Sequence, residues 1–426
     1  MNAKKFFFET FPSYLIILLP ILLITGPFLS DLAVSLIAFI FIINSLKNNL
    51  SKYYKNIFVK IFIVFWIILI ASSLLSNNIL VSLKSSFFYF RFGLFSLCFW
   101  YLLEKNQLLL KYLFFSILIC FFSLILDGYI QYIFGKNIFG IEMYRENRVS
   151  SFFGSELILG SYLSRLFPIL FGLFVFYDQK KNKKFLILIT LIFIFSEGLI
   201  FLSGERLALF FMNFSAIYII LMIDSYKIYR LWTYIVSIFL IIILFNVFPN
   251  SKERIVDQTI NDFTTHFTNN DADKFYFFSK PHHDMYTAAY RMFLDNKLFG
   301  VGPRQFRNEC NEYPVSEYSC ETHPHNTYLE LLAESGIFSF LVVASFFIFI
   351  CFVSIKHFII RFIKNKKSRL NDFQICLLSA VLISLWPFSP SGSFFNNWMS
   401  IVYYFPIGII LWQISQPKLS KYKGNM

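Results

Sequence analysis

The chain has 426 residues, of which 57% are hydrophobic and 59 are phenylalanine. Its mean hydropathy of +0.61 excludes an ordinary soluble protein, because a water-exposed surface of this size needs more polar side chains. The formal net charge of +13 would suit a nucleic-acid-binding protein. The basic residues lie mainly on one side of the apolar runs, however, so we interpret the charge as an orientation signal and expect no nucleic-acid partner.

Runs of roughly twenty apolar residues recur along the chain, and each is long enough to cross about 30 Å of hydrocarbon as a helix. The runs are continuously apolar, which favours helices over the alternating strands of a membrane barrel. In chain order the predicted spans cover residues 13–28, 31–46, 57–76, 85–103, 108–126, 156–177, 185–202, 207–223, 231–248, 328–355, 373–388 and 398–413. The predicted fold is therefore an all-α polytopic membrane protein with about twelve transmembrane helices.

Lysine and arginine are most frequent in the segments on the side of the two termini, so the positive-inside rule predicts cytoplasmic termini. Three regions follow from this topology. Residues 1–248 contain the first nine transmembrane helices, 249–326 form a large outer loop with short helices, and 327–426 contain the last three helices and a cytoplasmic tail. A shorter polar segment on the outer side carries Arg145 and Arg148.

The long outer loop is too long for a simple connection, and such loops are usually functional or disordered. Apolar residues at helical spacing predict a short helix over 283–298, which we expect to lie on the membrane surface. A Gly-Val-Gly-Pro turn follows at residues 300–303. Cys310 and Cys320 come next. In an oxidising compartment they would form a disulfide, and the alternative is two free thiols.

Several arginines lie on the predicted outer side. Arg206 stands at the outer start of a span, where a cation is costly and usually has a partner or a function. An ion pair with Glu205, or extension of the side chain to the interface, is the alternative. Arg291 lies on the predicted loop helix, and Arg304 and Arg307 follow the turn. Guanidinium groups match phosphate oxygens, so the group predicts a phosphate or pyrophosphate ligand, and solvated surface charges are the alternative.

His325 directly precedes a long apolar run. Its ordinary pKa of about 6.5 suits a general base near neutral pH, and the alternative is a helix-capping histidine at the membrane interface. A metal site of His323 and His325 with His282, His283 and loop carboxylates is the weaker hypothesis. The sequence contains no His-Glu-x-x-His or Cys-x-x-Cys spacing. We therefore predict neither a metal nor another cofactor.

Three segments resemble the O-antigen ligase and polymerase superfamily of bacterial membrane glycosyltransferases. Residues 203–206, Ser-Gly-Glu-Arg, resemble its Ser/Thr-Gly-x-Arg motif at the outer start of a span. Residues 300–306 resemble its Gly-Val-Gly-x-x-x-Phe turn. His325 and Asn326, followed after nine residues by Gly336, resemble the ligase motif. Arg148 and the turn after it are also similar to the superfamily, as is the large outer loop before the tenth span.

One departure concerns a second arginine, which the superfamily often places about eighteen residues before the Gly-x-Gly turn. This chain has His282 there, and Arg291 lies nearby on the same predicted helix. The resemblance therefore implies Arg291 as the second pyrophosphate-binding cation, with His282 or His283 as alternatives.

The resemblance implies glycosyl transfer at the periplasmic face of the inner membrane. An acceptor hydroxyl, on lipid A–core in a ligase, would attack a glycan carried on undecaprenyl pyrophosphate. His325 would take the proton, and Arg206 and Arg291, together with Arg148 and Arg304, would hold the pyrophosphate in place of a metal ion. The glycan donor, the acceptor and membrane lipid are the expected partners.

Other functions compatible with this sequence are an O-antigen polymerase, a protein O-oligosaccharyltransferase and a transporter or flippase for lipid-linked sugars. A transporter should have inverted repeats and paired charges near the bilayer midplane. Here no repeat is visible and the candidate residues lie at one predicted face, so we favour the ligase.

Overall fold

The computed structural model describes residues 3–144, 148–178, 182–261, 278–364, 366 and 370–416. Arg145 and the predicted tail beyond residue 416 lie outside the described residues. The described chain is helical and has no strand. Ten of its helices are long and apolar enough to cross a membrane, and two shorter apolar helices coincide with the remaining predicted spans. The predicted all-α polytopic membrane fold is confirmed.

In chain order the helices are α1 (Ala3–Leu22), α2 (Pro27–Asn48), α3 (Ile57–Leu74), α4 (Ile79–Lys105), α5 (Leu108–Phe134), α6 (Leu159–Tyr177), α7 (Lys183–Ser203), α8 (Arg206–Met222), α9 (Lys227–Val247), α10 (Lys280–Asp295), α11 (Thr327–Ile363), α12 (Asp372–Ser384) and α13 (Asn397–Ser415). Helix α10 belongs to the long loop, and the other twelve correspond to the predicted spans. The end of the bundle that carries residues 249–261 and 278–326 is called the loop face below.

The junction of the first two helices differs from the prediction. Gly26 has a φ of +109°, and Pro27 is the first residue of α2. Glycine allows this positive φ, and proline is favoured at the first helical position because its missing N–H would have no acceptor there. The chain therefore turns before residue 27, and α2 begins earlier than the predicted residue 31.

The central helices of the bundle are α4, α6 and α13, most of whose residues are buried. Helix α13 packs against α4, and α12 packs against α6. Helix α9 lies at the periphery and exposes large apolar side chains such as Trp232 and Phe239. These side chains need no protein cover, because lipid tails are as apolar as they are.

Helix α11 is not one continuous span. Gly336 interrupts it with φ +73° and ψ −176°. The ring of Tyr328 contacts the rings of Phe340 and Phe347, at centroid distances of 6.0 and 6.3 Å. A straight helix would separate these residues by about 18 and 28 Å along its axis. The segment 327–335 therefore folds back beside the rest of α11, and the prediction of one uninterrupted span over 328–355 is wrong in its first turns.

The loop helix α10 packs against this folded-back segment. A small apolar cluster joins it to the turn after it and to the start of α11; its members are Ala289, Met292, Val301, Phe306, Cys310 and Ala333. Cys310 and Cys320 form a disulfide with a Cα–Cα distance of 5.2 Å. Tyr290 and Leu294 are exposed on the other side of α10. The cluster thus holds α10 and the disulfide-bridged segment against the start of α11.

Candidate functional site

The turn after α10 lies directly against the break in α11, and glycines make this contact possible. A Cβ atom at Gly336 would lie 2.1 Å from the carbonyl oxygen of Leu298, and one at Gly300 would lie 2.4 Å from the carbonyl carbon of Glu334. The N–H of Gly302 donates to the carbonyl of Glu334 at 2.7 Å. Gly300 and Gly336 therefore allow the backbones of the turn and of α11 to lie in direct contact, because a side chain on either residue would clash with the other segment.

The side chain of Glu334 also stabilises the turn after α10. Its carboxylate accepts hydrogen bonds from the backbone N–H groups of Arg304 (2.6 Å) and Phe306 (2.8 Å). The guanidinium of Arg304 in turn donates to the carbonyl of Phe395 at 2.7 Å. Arg304, which the sequence suggested as a pyrophosphate ligand, thus connects two loops of the protein. This contact gives Arg304 a structural partner that its position in the sequence did not reveal.

Glu330 stabilises the connection between α12 and α13 by hydrogen bonds of the same kind. Its carboxylate accepts from the hydroxyl of Ser393 at 2.5 Å and from the backbone N–H of Phe394 at 2.7 Å. Neither Glu330 nor Glu334 was singled out in the sequence. Two carboxylates four residues apart at the start of an apolar run were the available signal, because charged groups at membrane depth usually have a partner or a function.

The backbone of His325 is held in a left-handed conformation, with φ +51°. Its carbonyl accepts from the N–H of Ser391 at 2.8 Å and from the hydroxyl of Tyr286 at 3.4 Å. The neighbouring Asn326 caps the first N–H groups of α11 with its side chain. Capping by Asn326 leaves the imidazole of His325 available for other contacts.

Three imidazoles meet at this point. The ring centroids of His323 and His325 are 4.1 Å apart, and those of His282 and His325 are 5.8 Å apart. The hydroxyl of Ser279 lies 2.7 Å from Nδ1 of His282, and Nε2 of His323 lies 3.3 Å from the carbonyl of Ser391. The fold thus brings His282, at the start of α10, next to the two histidines that precede α11.

Burial lowers the pKa of His323 to about 3, with help from the neighbouring His325. Burial also lowers the pKa of His325 below its ordinary value, although the carboxylate of Glu321 acts in the opposite direction. Both rings are therefore uncharged at neutral pH, and His325 can accept a proton. Within the described ranges, no group of three or more His, Cys, Asp or Glu side chains has an arrangement suited to a metal ion.

Arginines surround the turn between α7 and α8, also at the loop face. Gly204 allows this turn through its φ of +67°. Nε of Arg148 donates to the carbonyl of Ser203 at 2.8 Å, and Nε of Arg254 donates to the carbonyl of Gly204 at 3.3 Å. Arg206 follows directly as the first residue of α8. The structure thus brings Arg148 and Arg206 together and adds Arg254, which the sequence analysis missed although it is a cation just after an apolar run.

The carboxylate of Glu205 is engaged with the start of α6. It accepts from the backbone N–H groups of Gly160 (2.6 Å) and Ser161 (2.9 Å), where the helix dipole favours an anion. Nη1 of Arg206 donates to the hydroxyl of Thr259 at 3.3 Å. Three arginines thus lie at one turn, whose single carboxylate already has two backbone donors, and guanidinium groups in this arrangement suit an anionic ligand.

Arg291 and His283 lie on α10, as predicted for a helix in the loop. Arg291 is about two and a half turns beyond His282, and its Nη1 donates to the carbonyl of Pro314 in the disulfide-bridged loop at 3.0 Å. His283 is adjacent to His282, and its carbonyl accepts from the hydroxyl of Thr287 at 2.9 Å. Of the candidate residues on α10, His282 is the one in ring contact with His325.

Residues 189–344 match the sequence model of the O-antigen ligase family. The matched segment includes Arg206, Arg254, the loop helix, the three histidines and Gly336. No curated protein matches the chain.

Proposed function

We propose that the chain transfers a glycan from undecaprenyl pyrophosphate to lipid A–core at the periplasmic face of the inner membrane. The match of residues 189–344 to the O-antigen ligase family supports this proposal. The observation that carries the proposal is an uncharged imidazole at His325 on the same face of the bundle as the arginines around Arg206. A displacement at an anomeric carbon needs a base for the incoming hydroxyl and a site for the departing anion.

In this reaction a ring nitrogen of His325 accepts the proton of the acceptor hydroxyl while the hydroxyl oxygen attacks the anomeric carbon. The bond between that carbon and the pyrophosphate oxygen breaks, and the electron pair leaves with the pyrophosphate. Arg206 and its neighbours Arg148 and Arg254 stabilise the charge that develops there. Guanidinium groups suit this role because their fork matches two phosphate oxygens and they remain charged.

The location of the two groups suits a lipid-linked donor. Arg206 is the first residue of α8, at the loop face. Because the start of α11 folds back, Tyr328 contacts Phe347 in the middle of that helix, and His325 lies close to the membrane-spanning part of the bundle. A pyrophosphate bound at this level leaves its polyprenyl tail in the hydrocarbon. Glycosyl transfer of this kind draws its energy from the pyrophosphate linkage and requires neither ATP nor a nucleotide sugar.

The proposal is tested by reconstituting the purified protein with an undecaprenyl-pyrophosphate oligosaccharide and lipid A–core, with EDTA present. Products are separated by gel electrophoresis and identified by mass spectrometry. We expect the glycan on lipid A–core in the wild type. The His325→Ala variant should give none, while it still retains the donor.

Other products would point to other functions. Longer glycans that remain on the polyprenyl carrier would identify a polymerase. Transfer that stops in EDTA and returns with a divalent cation would contradict the metal-independent mechanism. If neither glycan product forms, ligase and polymerase activity are both excluded for these substrates, and protein acceptors become the next substrates to assay.

A further inference from the structure

Arg165, on α6, lies inside the bundle and is 3% exposed. Its Nε and Nη1 are buried and have no hydrogen-bond partner among the residues that the structure describes. The buried Arg230 offers a contrast, since its guanidinium donates to the carbonyls of Ser225 (2.7 Å) and Ile223 (2.8 Å). A buried cation without hydrogen bonds is unfavourable, and in a membrane protein it usually marks a functional site.

The surroundings of Arg165 do not supply a matching anion. Its guanidinium lies over the ring of Phe211, 5.0 Å from the centroid. Its electrostatic neighbours are Tyr403 and Glu205. The carboxylate of Glu205 already accepts two backbone N–H groups at the start of α6. Arg148 is a further cation near this carboxylate, so positive charge exceeds negative charge around Glu205.

Arg165 also lies between the two parts of the proposed site. On one side it neighbours Glu205, which directly precedes Arg206. On the other side it neighbours Tyr403, which is close to Thr327. The backbone N–H of Thr327 donates to the hydroxyl of Ser391 at 2.8 Å, and the N–H of Ser391 donates to the carbonyl of His325. A continuous set of polar residues thus connects the arginine cluster with the histidine cluster through Arg165.

We propose that Arg165 is a third element of the donor site and binds phosphate oxygens of the polyprenyl pyrophosphate between His325 and Arg206. This inference rests on the proposed function and names a binding residue for it. Two guanidinium nitrogens, Nε and Nη1, have no partner among the described residues, and both can donate to phosphate oxygens. Arg165 lies in the second turn of α6, and Arg206 is the first residue of α8.

The test measures thermal unfolding of the full chain in phosphatidylcholine nanodiscs, with and without undecaprenyl pyrophosphate. Arg165→Met removes the guanidinium but keeps an apolar side chain of similar length. Arg165→Lys keeps the charge and loses the fork. Arg230→Met is the matched control, because it removes another buried guanidinium, each of whose three nitrogens donates a hydrogen bond. Inorganic pyrophosphate and phosphatidylglycerol are used as separate probes.

We expect undecaprenyl pyrophosphate to raise the Tm of the wild type. Without ligand, Arg165→Met should unfold at the same temperature as the wild type or higher, because an unpartnered buried charge is removed. Its rise in Tm with undecaprenyl pyrophosphate should be smaller than that of the wild type, because its affinity for that lipid should fall at least about tenfold. Arg165→Lys should show an intermediate response. Arg230→Met should unfold at a lower temperature and keep the response to the lipid.

Other results would overturn the inference. If Arg165→Met unfolds early, as Arg230→Met does, and keeps the response to undecaprenyl pyrophosphate, Arg165 is structural. If inorganic pyrophosphate or phosphatidylglycerol produces the Arg165-dependent response equally well, the ligand is a soluble anion or a bulk lipid. If the wild type itself does not respond to undecaprenyl pyrophosphate, the proposed function fails as well. A response that is equal in the wild type and both Arg165 variants overturns only the role of Arg165.

Discussion

Gly336 lies against the carbonyl of Leu298, so closely that a Cβ atom at residue 336 would be 2.1 Å from the carbonyl oxygen. This contact joins the turn after the loop helix to the break in α11. Because the break folds residues 327–335 back along the bundle, it also sets the position of His325, which directly precedes that segment. Gly336 thus determines the position of His325 through the path of the backbone between them.

Gly336→Ala should destabilise the protein and abolish transfer. The residue has φ +73° and ψ −176°, a conformation that costs about 1–3 kcal/mol for a residue with a Cβ. The clash with Leu298 adds to this because a backbone atom cannot move aside easily. Gly26→Ala is the control, since Gly26 has φ +109° and ψ 179° and nothing within 4 Å of an added Cβ. Thermal unfolding compares the two variants. Equal losses of stability would show that the close contact at Gly336 carries no weight.

Transfer should depend on pH through His325. Its pKa is lowered from 6.5 by burial, so the ring is neutral above that pKa and takes up a proton as the pH falls below it. We expect kcat/KM to decrease on the acid side with an apparent pKa below 6.5. His323→Gln should retain this acid limb, because His323 has a pKa of about 3 and does not titrate in that range. An unchanged acid limb in His325→Gln would contradict the assignment of His325.

His325→Ala should lower the turnover rate by about 10²–10⁴-fold, which is the usual contribution of a general base. Binding of the donor should remain within a few fold, because the arginine cluster is unchanged. Single-turnover assays and donor binding, measured on the same preparation, separate the two effects. Near-wild-type turnover would exclude His325 as the base.

Arg206→Lys should impair use of the donor, with kcat/KM reduced by about tenfold or more, because a lysine lacks the bidentate fork. Arg91→Lys is a suitable control at the same face. The guanidinium of Arg91 is engaged by Asp31, Asn397 and the carbonyl of Phe88, so its replacement should affect stability rather than donor use. Full donor use by Arg206→Lys would indicate that Arg206 has a structural role.

The bridge between Cys310 and Cys320 should appear as a linked peptide pair in mass spectrometry without reductant. Cys310 is buried in the small apolar cluster beneath the loop helix, so Cys310→Ser should loosen the loop and lower stability by about 2–4 kcal/mol. The free, buried Cys98 and Cys376 provide an internal comparison for alkylation. Alkylation of both Cys310 and Cys320 in the native, unreduced protein would rule out the bridge.

The sequence by itself determined the membrane class and the positions of the apolar helices, because the length and composition of an apolar run are local properties of the chain. It also identified Arg206 and His325 as candidates, since a cation or an imidazole beside an apolar run is visible without any fold. The helix in the loop could be predicted for the same reason, from apolar residues at helical spacing.

Only the tertiary structure decided which of these residues meet. In the folded protein His282 contacts His325, although the two are distant in the sequence. Arg254 lies at the same turn as Arg148 and Arg206. The guanidinium of Arg304 is hydrogen-bonded to the carbonyl of Phe395. These outcomes depend on where the backbone turns back at Gly336 and on contacts between segments far apart in the chain. The hydropathy pattern predicts neither the turn at Gly336 nor these contacts, because any apolar helix face is stable in lipid. Which polar groups find a partner depends on how the helices pack against each other.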